Sequence, residues 1–307
     1  MDSPAPPHGL PGGGDGDLWR VTRPGHEIRG QLERGRDRAM LGLLLEPWSL
    51  PFGIKIHTFA AVVVLGLLVA RVLVRRAALV YGPGDPVHAV AAYTACVLGG
   101  IVGAHLVEVL AYDPAVLRTE GPLVLLKVWK GSASIGGALG GFAAIVLYFR
   151  SQGLRAGPYT DALALGIVPG WAVARLGCAL AHDHPGIRSD SWLAVQFPDG
   201  PRLDLGLLDA VVLAVLGVVL WWLARKKRPQ GALFGVFVLG YSVPRFFLDF
   251  LRATDLPNSD RRVLGLTPTQ WICPLLAVGG VWLLRHGLAS PAASPPPPSM
   301  GSQPAAP

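Results

Sequence analysis

Apolar residues run almost unbroken through seven stretches, at about 54–75, 87–110, 132–149, 160–181, 205–224, 232–251 and 269–286. A helix rises 1.5 Å per residue, so stretches of about 18 residues or more match the hydrocarbon thickness of a bilayer. The pattern predicts an all-α polytopic membrane protein with seven transmembrane helices. The polar connections alternate in character. Arg71, Arg75 and Arg76 follow the first span, Arg150 and Arg155 the third, Arg225, Lys226, Lys227 and Arg228 the fifth, and Arg285 the seventh. The other connections carry Asp113, Glu120, Asp190, Asp199, Asp204 and Asp255. Basic loops stay in the cytoplasm, which predicts the N-terminus out and the C-terminus in.

The seven spans form one membrane domain over 46–287. Residues 1–45, rich in Gly, Pro and Arg, read as a disordered or interfacial extension without the pattern of a cleavable signal peptide. The segment 40–50, MLGLLLEPWSL, is too short to span and reads as interfacial, with Trp48 as its anchor. The Pro-rich tail 288–307 reads as disordered.

Composition changes the picture only at its edges. Of 307 residues, 51% are hydrophobic and 15% charged, against about 25% charged in soluble domains. The net charge of +7 is accounted for by the loop arginines. No basic stripe with interleaved aromatics points to nucleic acid. Cys96, Cys178 and Cys273 all fall in apolar runs, so no structural disulfide is expected.

Charge inside the spans carries the chemistry. An ionisable side chain at the centre of a transmembrane helix costs about 2.5–3.5 kcal/mol on insertion scales and marks a functional site by default. Tyr241, Arg245 and Asp249 recur every fourth residue and so line one helix face, with Arg252 just beyond. Span two carries His105 and Glu108 near its outer end. Span four carries Arg175, then His182, Asp183 and His184. With the predicted orientation these groups share the outer half of the bundle, where the arginines imply an anionic partner. Arg188 and Arg252, near the boundary, also fit a snorkelling role. The His-Asp-His-Pro-Gly run fits either a base oriented by a carboxylate or a solvated turn, and its ligands are too few for a zinc site. His105 fits a base or a bridge between helices, and Asp209 a partner for an arginine.

Several segments resemble prolipoprotein diacylglyceryl transferase. The family signature on the fourth span is Gly-Arg-x-Gly-Asn-Phe-x-Asn-x-Glu-x-x-Gly, and residues 174–186 read ARLGCALAHDHPG. Arg175, Gly177 and Gly186 match, Asp183 replaces the glutamate, and Cys178 and Ala181 stand at the asparagines. GGIVGAHLVEVLAY (99–112), GSASIGGALGGF (131–142), YSVPRFFLDFLR (241–252) and LTPTQW (266–271) are similar to further family segments in the same order. Ile135 occupies the place of the family histidine, before Gly136 and Gly137. Phe59 occupies that of a first-span tyrosine.

The resemblance implies a bacterial inner-membrane enzyme with its site on the extracytoplasmic side. The implied reaction moves the diacylglyceryl group of phosphatidylglycerol to the cysteine of a prolipoprotein signal peptide. The partners are then phosphatidylglycerol, prolipoprotein signal peptides and the lipid bilayer, with no nucleic acid, cofactor or metal. Arg175 and Arg245 are candidate phosphate ligands, joined in substrate binding by Tyr241, Asp249, Gly136, Gly137 and Arg252. His182, Asp183, His184 and His105 are the candidate catalytic residues. A paralogue with another acceptor or no catalysis, and a small membrane transporter, are the alternatives.

Overall fold

Long runs of Val, Leu and Ala form helices whose ends are set by particular side chains. A computed structural model describes residues 48–49, 55–81, 85–128, 133–256, 259 and 262–287. The readings of 1–45 and 288–307 lie outside those residues, as does the 40–50 segment apart from Trp48–Ser49, which pairs with Lys55–Ile56 as an antiparallel ribbon, β1 and β2. Helix α1 spans Thr58–Val80 and α2 Pro86–Val107, continued by a π-helical turn Glu108–Tyr112. The short α3 is Ala115–Glu120, α4 is Ser134–Ser151 and α5 is Gly157–Ala181. Helices α6, α7 and α8 are Leu205–Leu223, Ala232–Leu248 and Pro268–His286.

The starts of three helices show how the sequence fixes these limits. Asp85 accepts from Val87 N at 2.9 Å ahead of Pro86. Asp204 accepts from Leu207 N at 3.0 Å. Thr267 and Gln270 form a reciprocal capping box at the head of α8, again with Pro at its first position.

Among the described residues, five helices are long and apolar enough to cross a membrane: α1, α2 with its π turn, α5, α6, and α7 with the 3-10 turn Asp249–Leu251. Helix α4 is a shorter apolar helix. Large apolar side chains face outward all along these elements, among them Leu68, Val72, Leu139, Val218 and Val243, as expected where lipid replaces water.

Two antiparallel pairings dominate the packing. Helix α1 lies against α5, with Gly66 and Ala70 against Gly170. Helix α2 lies against α4 along a glycine seam. A methyl added at Gly140 would overlap the Gly99 carbonyl and come 2.8 Å from Gly103 Cα. Gly136 meets the Gly103 carbonyl in the same way. Close backbone approach of this kind supplies dispersion contact where no hydrophobic effect separates helix from lipid.

The sequence reading, all helix and loop, missed a small sheet. Between α5 and α6 the chain forms β3 (Pro185–Arg188), β4 (Ala194–Phe197) and β5 (Gly200–Asp204), in the antiparallel order β3-β5-β4. A two-residue turn links β4 to β5, and Gly200 holds φ 122° there. The sheet is tied to the chain after α7. Gly186 bridges Arg252, and Ala253 N donates to Pro185 O at 3.1 Å.

Arg202 on β5 is wholly buried and completes that tie. Its guanidinium donates to Asp255 Oδ1 and Oδ2 at 2.9 and 2.6 Å, to Asp199 Oδ2 at 2.6 Å and to Gly186 O at 3.0 Å. Hydrogen bonds from Arg202 hold the Asp255 carboxyl down at about 2 and lower that of Asp199. A depressed carboxylate contributes stability above its unfolded value of about 3.9, and that contribution is lost as pH falls through the folded value. The expected result is a Tm that declines between about pH 4 and pH 2, with a shallower decline in Asp255→Asn. An Asp255→Asn variant whose acid transition matches the wild type would remove this pair from the account.

Candidate active site

Five acidic and basic side chains from α5, α6, α7 and the turn that follows α7 alternate in a ladder. Asp209 of α6 is buried between two arginines: Arg175 Nε of α5 at 3.4 Å and Arg245 NH1 of α7 at 3.0 Å from the same Oδ2. Arg245 NH2 reaches Asp249 Oδ1 at 2.9 Å, one turn on. Arg252 Nε lies 3.4 Å from that oxygen. The far oxygen of Asp249 accepts a short hydrogen bond from Thr267 Oγ1 at the head of α8. Gln270 Nε2 donates to Phe246 O at 3.0 Å, so α8 braces the end of α7. The sequence set Arg245 and Asp249 on one helix face and offered Asp209 as a partner for an arginine, and the structure joins all three.

The ladder leaves polar capacity at its α5 end. Among the described residues, Arg175 Nε and Asp209 Oδ1 are buried without a hydrogen-bond partner. Arg175 Nε faces Asp209 Oδ2 at 3.4 Å outside hydrogen-bond geometry, and a donor held this way suits a ligand oxygen. Trp171 and Tyr241 shape the apolar side. The Arg175 guanidinium lies 5.8 Å from the Trp171 ring, and the two aromatic rings are 4.6 Å apart. Tyr241 is also within hydrogen-bonding reach of Arg175.

The outer edge of the site is the end of α5. His182 takes the left-handed conformation, φ 51°, that ends the helix. His184 Nε2 lies 2.8 Å from Arg175 NH1. A guanidinium can only donate, so Nε2 carries the lone pair and His184 is neutral. Burial, then the charges of Arg175, Arg252 and Arg245, lower its pKa to about 3. Burial raises the Asp183 carboxyl, against the opposing pull of Arg175 and Arg252. Cys178 Sγ, an Asp183 oxygen and a His184 ring nitrogen lie within 4.8 Å of one another. The cation that these atoms meet is the Arg175 guanidinium, 3.9 Å from the sulfur. That arrangement aims positive charge into the site and favours an anion.

His182 has a partner that the sequence did not suggest. Its Nδ1 lies 3.2 Å from Asp204 Oδ2, whereas the reading from sequence offered Asp183 to either flanking histidine. Asp183 instead stands 3.8 Å from His184 Nε2. The His182 ring packs on Phe197 with centroids 4.7 Å apart. Asp204 is the last residue of β5 and the N-cap of α6, so the sheet holds the imidazole in place. No signal in the chain could have matched these two residues without the sheet between them.

The remaining sequence candidates sit elsewhere. Buried His105 belongs to α2, and its Nε2 donates to Val124 O at 2.9 Å. Gly136 and Gly137 face α2 across the glycine seam, Gly137 with Ala104 Cβ 3.6 Å from the place of a Cβ. The two glycines belong to the α2–α4 pairing, where close helix packing accounts for them, and His105 ties α2 to the connection before α4. The ladder gathers Arg175, Arg245, Asp249 and Arg252, with Tyr241, Asp183 and His184 against it.

Comparison with known proteins bears on this geometry. The family model described as prolipoprotein diacylglyceryl transferase matches residues 47–286. The chain is 37% identical over 198 residues to the phosphatidylglycerol–prolipoprotein diacylglyceryl transferase of Janthinobacterium sp. (strain Marseille), covering 61% of this chain and 73% of that relative. The protein of the same name from Methylococcus capsulatus is 30% identical over 255 residues, 80% of this chain and 96% of the relative. That from Nitratidesulfovibrio vulgaris is 34% identical over 210 residues, 65% and 78% of the two chains.

Proposed function

The chain belongs to the prolipoprotein diacylglyceryl transferase family, and from that membership we propose that it transfers the diacylglyceryl group of phosphatidylglycerol to the lipobox cysteine of prolipoprotein signal peptides. The observation that carries the reading is the Arg175–Asp209–Arg245–Asp249–Arg252 ladder, buried between helices that can cross a membrane. A phosphate ester in an apolar bundle needs fixed cationic donors, and planar guanidinium groups supply paired ones. Arg175, whose Nε pairs with Asp209 without a hydrogen bond, and Arg245 are assigned to the phosphate; Tyr241 and Arg252 border it.

The reaction makes a carbon–sulfur bond and breaks a carbon–oxygen bond. The thiolate of the signal peptide attacks the glyceryl carbon that bears the phosphate ester. The ester oxygen keeps the bonding pair and leaves as glycerol phosphate, and the thiol proton passes to a base. His182 is assigned to that role, with Asp204 holding its Nδ1–H so that Nε2 can accept a proton. His184 is assigned to positioning Arg175, since its lone pair already receives the guanidinium. A base at His182 gives a pH–rate limb that disappears in His182→Gln. His184→Gln should lower the rate and leave the limb in place. Persistence of the limb in His182→Gln would move the base elsewhere.

Basic residues fall in the last turns of α4 and α8, follow α6 as Arg225-Lys226-Lys227-Arg228, lie in the second half of α1 at Arg71, Arg75 and Arg76 and precede α5 at Arg155, which supports all seven helices crossing with those ends in the cytoplasm. The N-terminus is then outside, the C-terminus inside, and the ladder faces the extracytoplasmic half of the bacterial plasma membrane. The deciding experiment mixes purified protein with phosphatidylglycerol and a lipobox peptide and weighs the product. A diacylglyceryl adduct on the cysteine is expected. Its absence, with a family enzyme active in parallel, would favour a paralogue with another acceptor.

A further inference from the structure

A groove runs along the bundle behind the ladder. It encloses about 690 Å³ between α1, α5 and α6, with Leu73, Pro169, Leu176, Val211 and Gly217 among its walls and Arg225 at its end. Leu176 follows Arg175 in sequence and the groove residue Ala210 follows Asp209, so each points about 100° away from its charged neighbour. The groove is therefore separate from the ladder but shares its two helices.

Three features say what fits. The walls are apolar, and Leu176, Val211, Val218 and Trp222 are exposed along it on elements that can cross a membrane. From Ala210 to Arg225 the groove follows α6 for about 22 Å at 1.5 Å per residue, longer than the roughly 15 Å hydrocarbon depth of one leaflet. Its polar end is strongly basic. Exposed Arg225 begins the run Arg225-Lys226-Lys227-Arg228 and has no ion-pair partner among the described residues. Arg228 Nε donates to Leu223 O at 2.9 Å, so it caps α6. The Trp221 indole forms a fixed wall, donating to Leu165 O at 2.9 Å.

We propose that this groove binds one anionic phospholipid, with its phosphate at Arg225 and one acyl chain along α6 toward Leu176. Basic pockets between transmembrane helices favour anionic headgroups, and indoles sit at the same depth. The ligand is a structural lipid, distinct from the lipid bound at the ladder. It fills the outer angle between α5 and α6, the helices that carry Arg175 and Asp209. The proposal requires only that these helices lie in a membrane, so it stands apart from the transferase reading.

The test uses the full chain, delipidated in detergent, with dioleoyl phosphatidylserine as probe and dioleoyl phosphatidylcholine as control. Native mass spectrometry should find one more phosphatidylserine on the wild type than on Arg225→Gln or Ala214→Trp, the second of which fills the groove from an exposed position. Arg225→Gln should weaken that binding roughly fivefold, the worth of one basic residue at an anionic surface. Phosphatidylserine should raise Tm in the wild type and not in the variants, with equal Tm values in the control lipid. Equal retention by all three proteins would overturn the proposal. So would a dimeric wild type, by light scattering, that Ala214→Trp converts to a monomer, since a second copy would then cover this face.

Discussion

Arg245→Ala lowers kcat/KM for diacylglyceryl transfer by about 10²–10³, the loss typical when one fixed donor to developing negative charge is removed. The same change takes the shared cation from Asp209 and Asp249, which keep Arg175 and Arg252 at 3.4 Å. Removing one partner from buried pairs costs up to about 3–5 kcal/mol, so the variant should also melt earlier. The two effects separate in Arg245→Lys, which restores the cation without the planar fork. Tm should recover while transfer stays low. An Arg245→Lys variant that regains transfer together with Tm would make Arg245 a structural charge only.

The second large effect is mechanical. Gly140→Ala places a methyl against the Gly99 carbonyl and Gly103 Cα, both backbone. Neither can rotate aside, so α2 and α4 must separate along the seam. The expected loss is about 1–3 kcal/mol or more, the usual range for overpacking. Gly279→Ala on α8 is the matched control, with nothing within 4 Å of the new methyl. Equal melting of the two variants in detergent would show that the seam gives way more readily than its geometry implies.

The sequence made some of these features legible. Seven apolar runs predicted helices within a few residues of their positions, because span length and hydropathy are local properties. The Tyr241–Arg245–Asp249 face was equally legible, since helical spacing alone sets it. The sheet was not. Its strands are four or five residues long, and Arg202, which looks like a loop charge, is fully buried only because Asp199 and Asp255 close over it. The His182–Asp204 contact crosses that sheet and depends on it. His105 illustrates the opposite limit. Its polarity in an apolar run was visible, but its choice of the Val124 carbonyl depended on how the connection after α3 folds back.

The contacts of α8 with the ladder bear on the order of assembly. Asp249 is neutralised by arginines that emerge before it or soon after, but its second oxygen waits for Thr267, and the Phe246 carbonyl waits for Gln270. A chain still in synthesis can insert α7 and bring Arg245 to Asp209, yet the site stays unbraced until α8 arrives. Competence is thus withheld until α8 has inserted, and a nascent chain inserted only through α7 has no finished pocket to open to lipid.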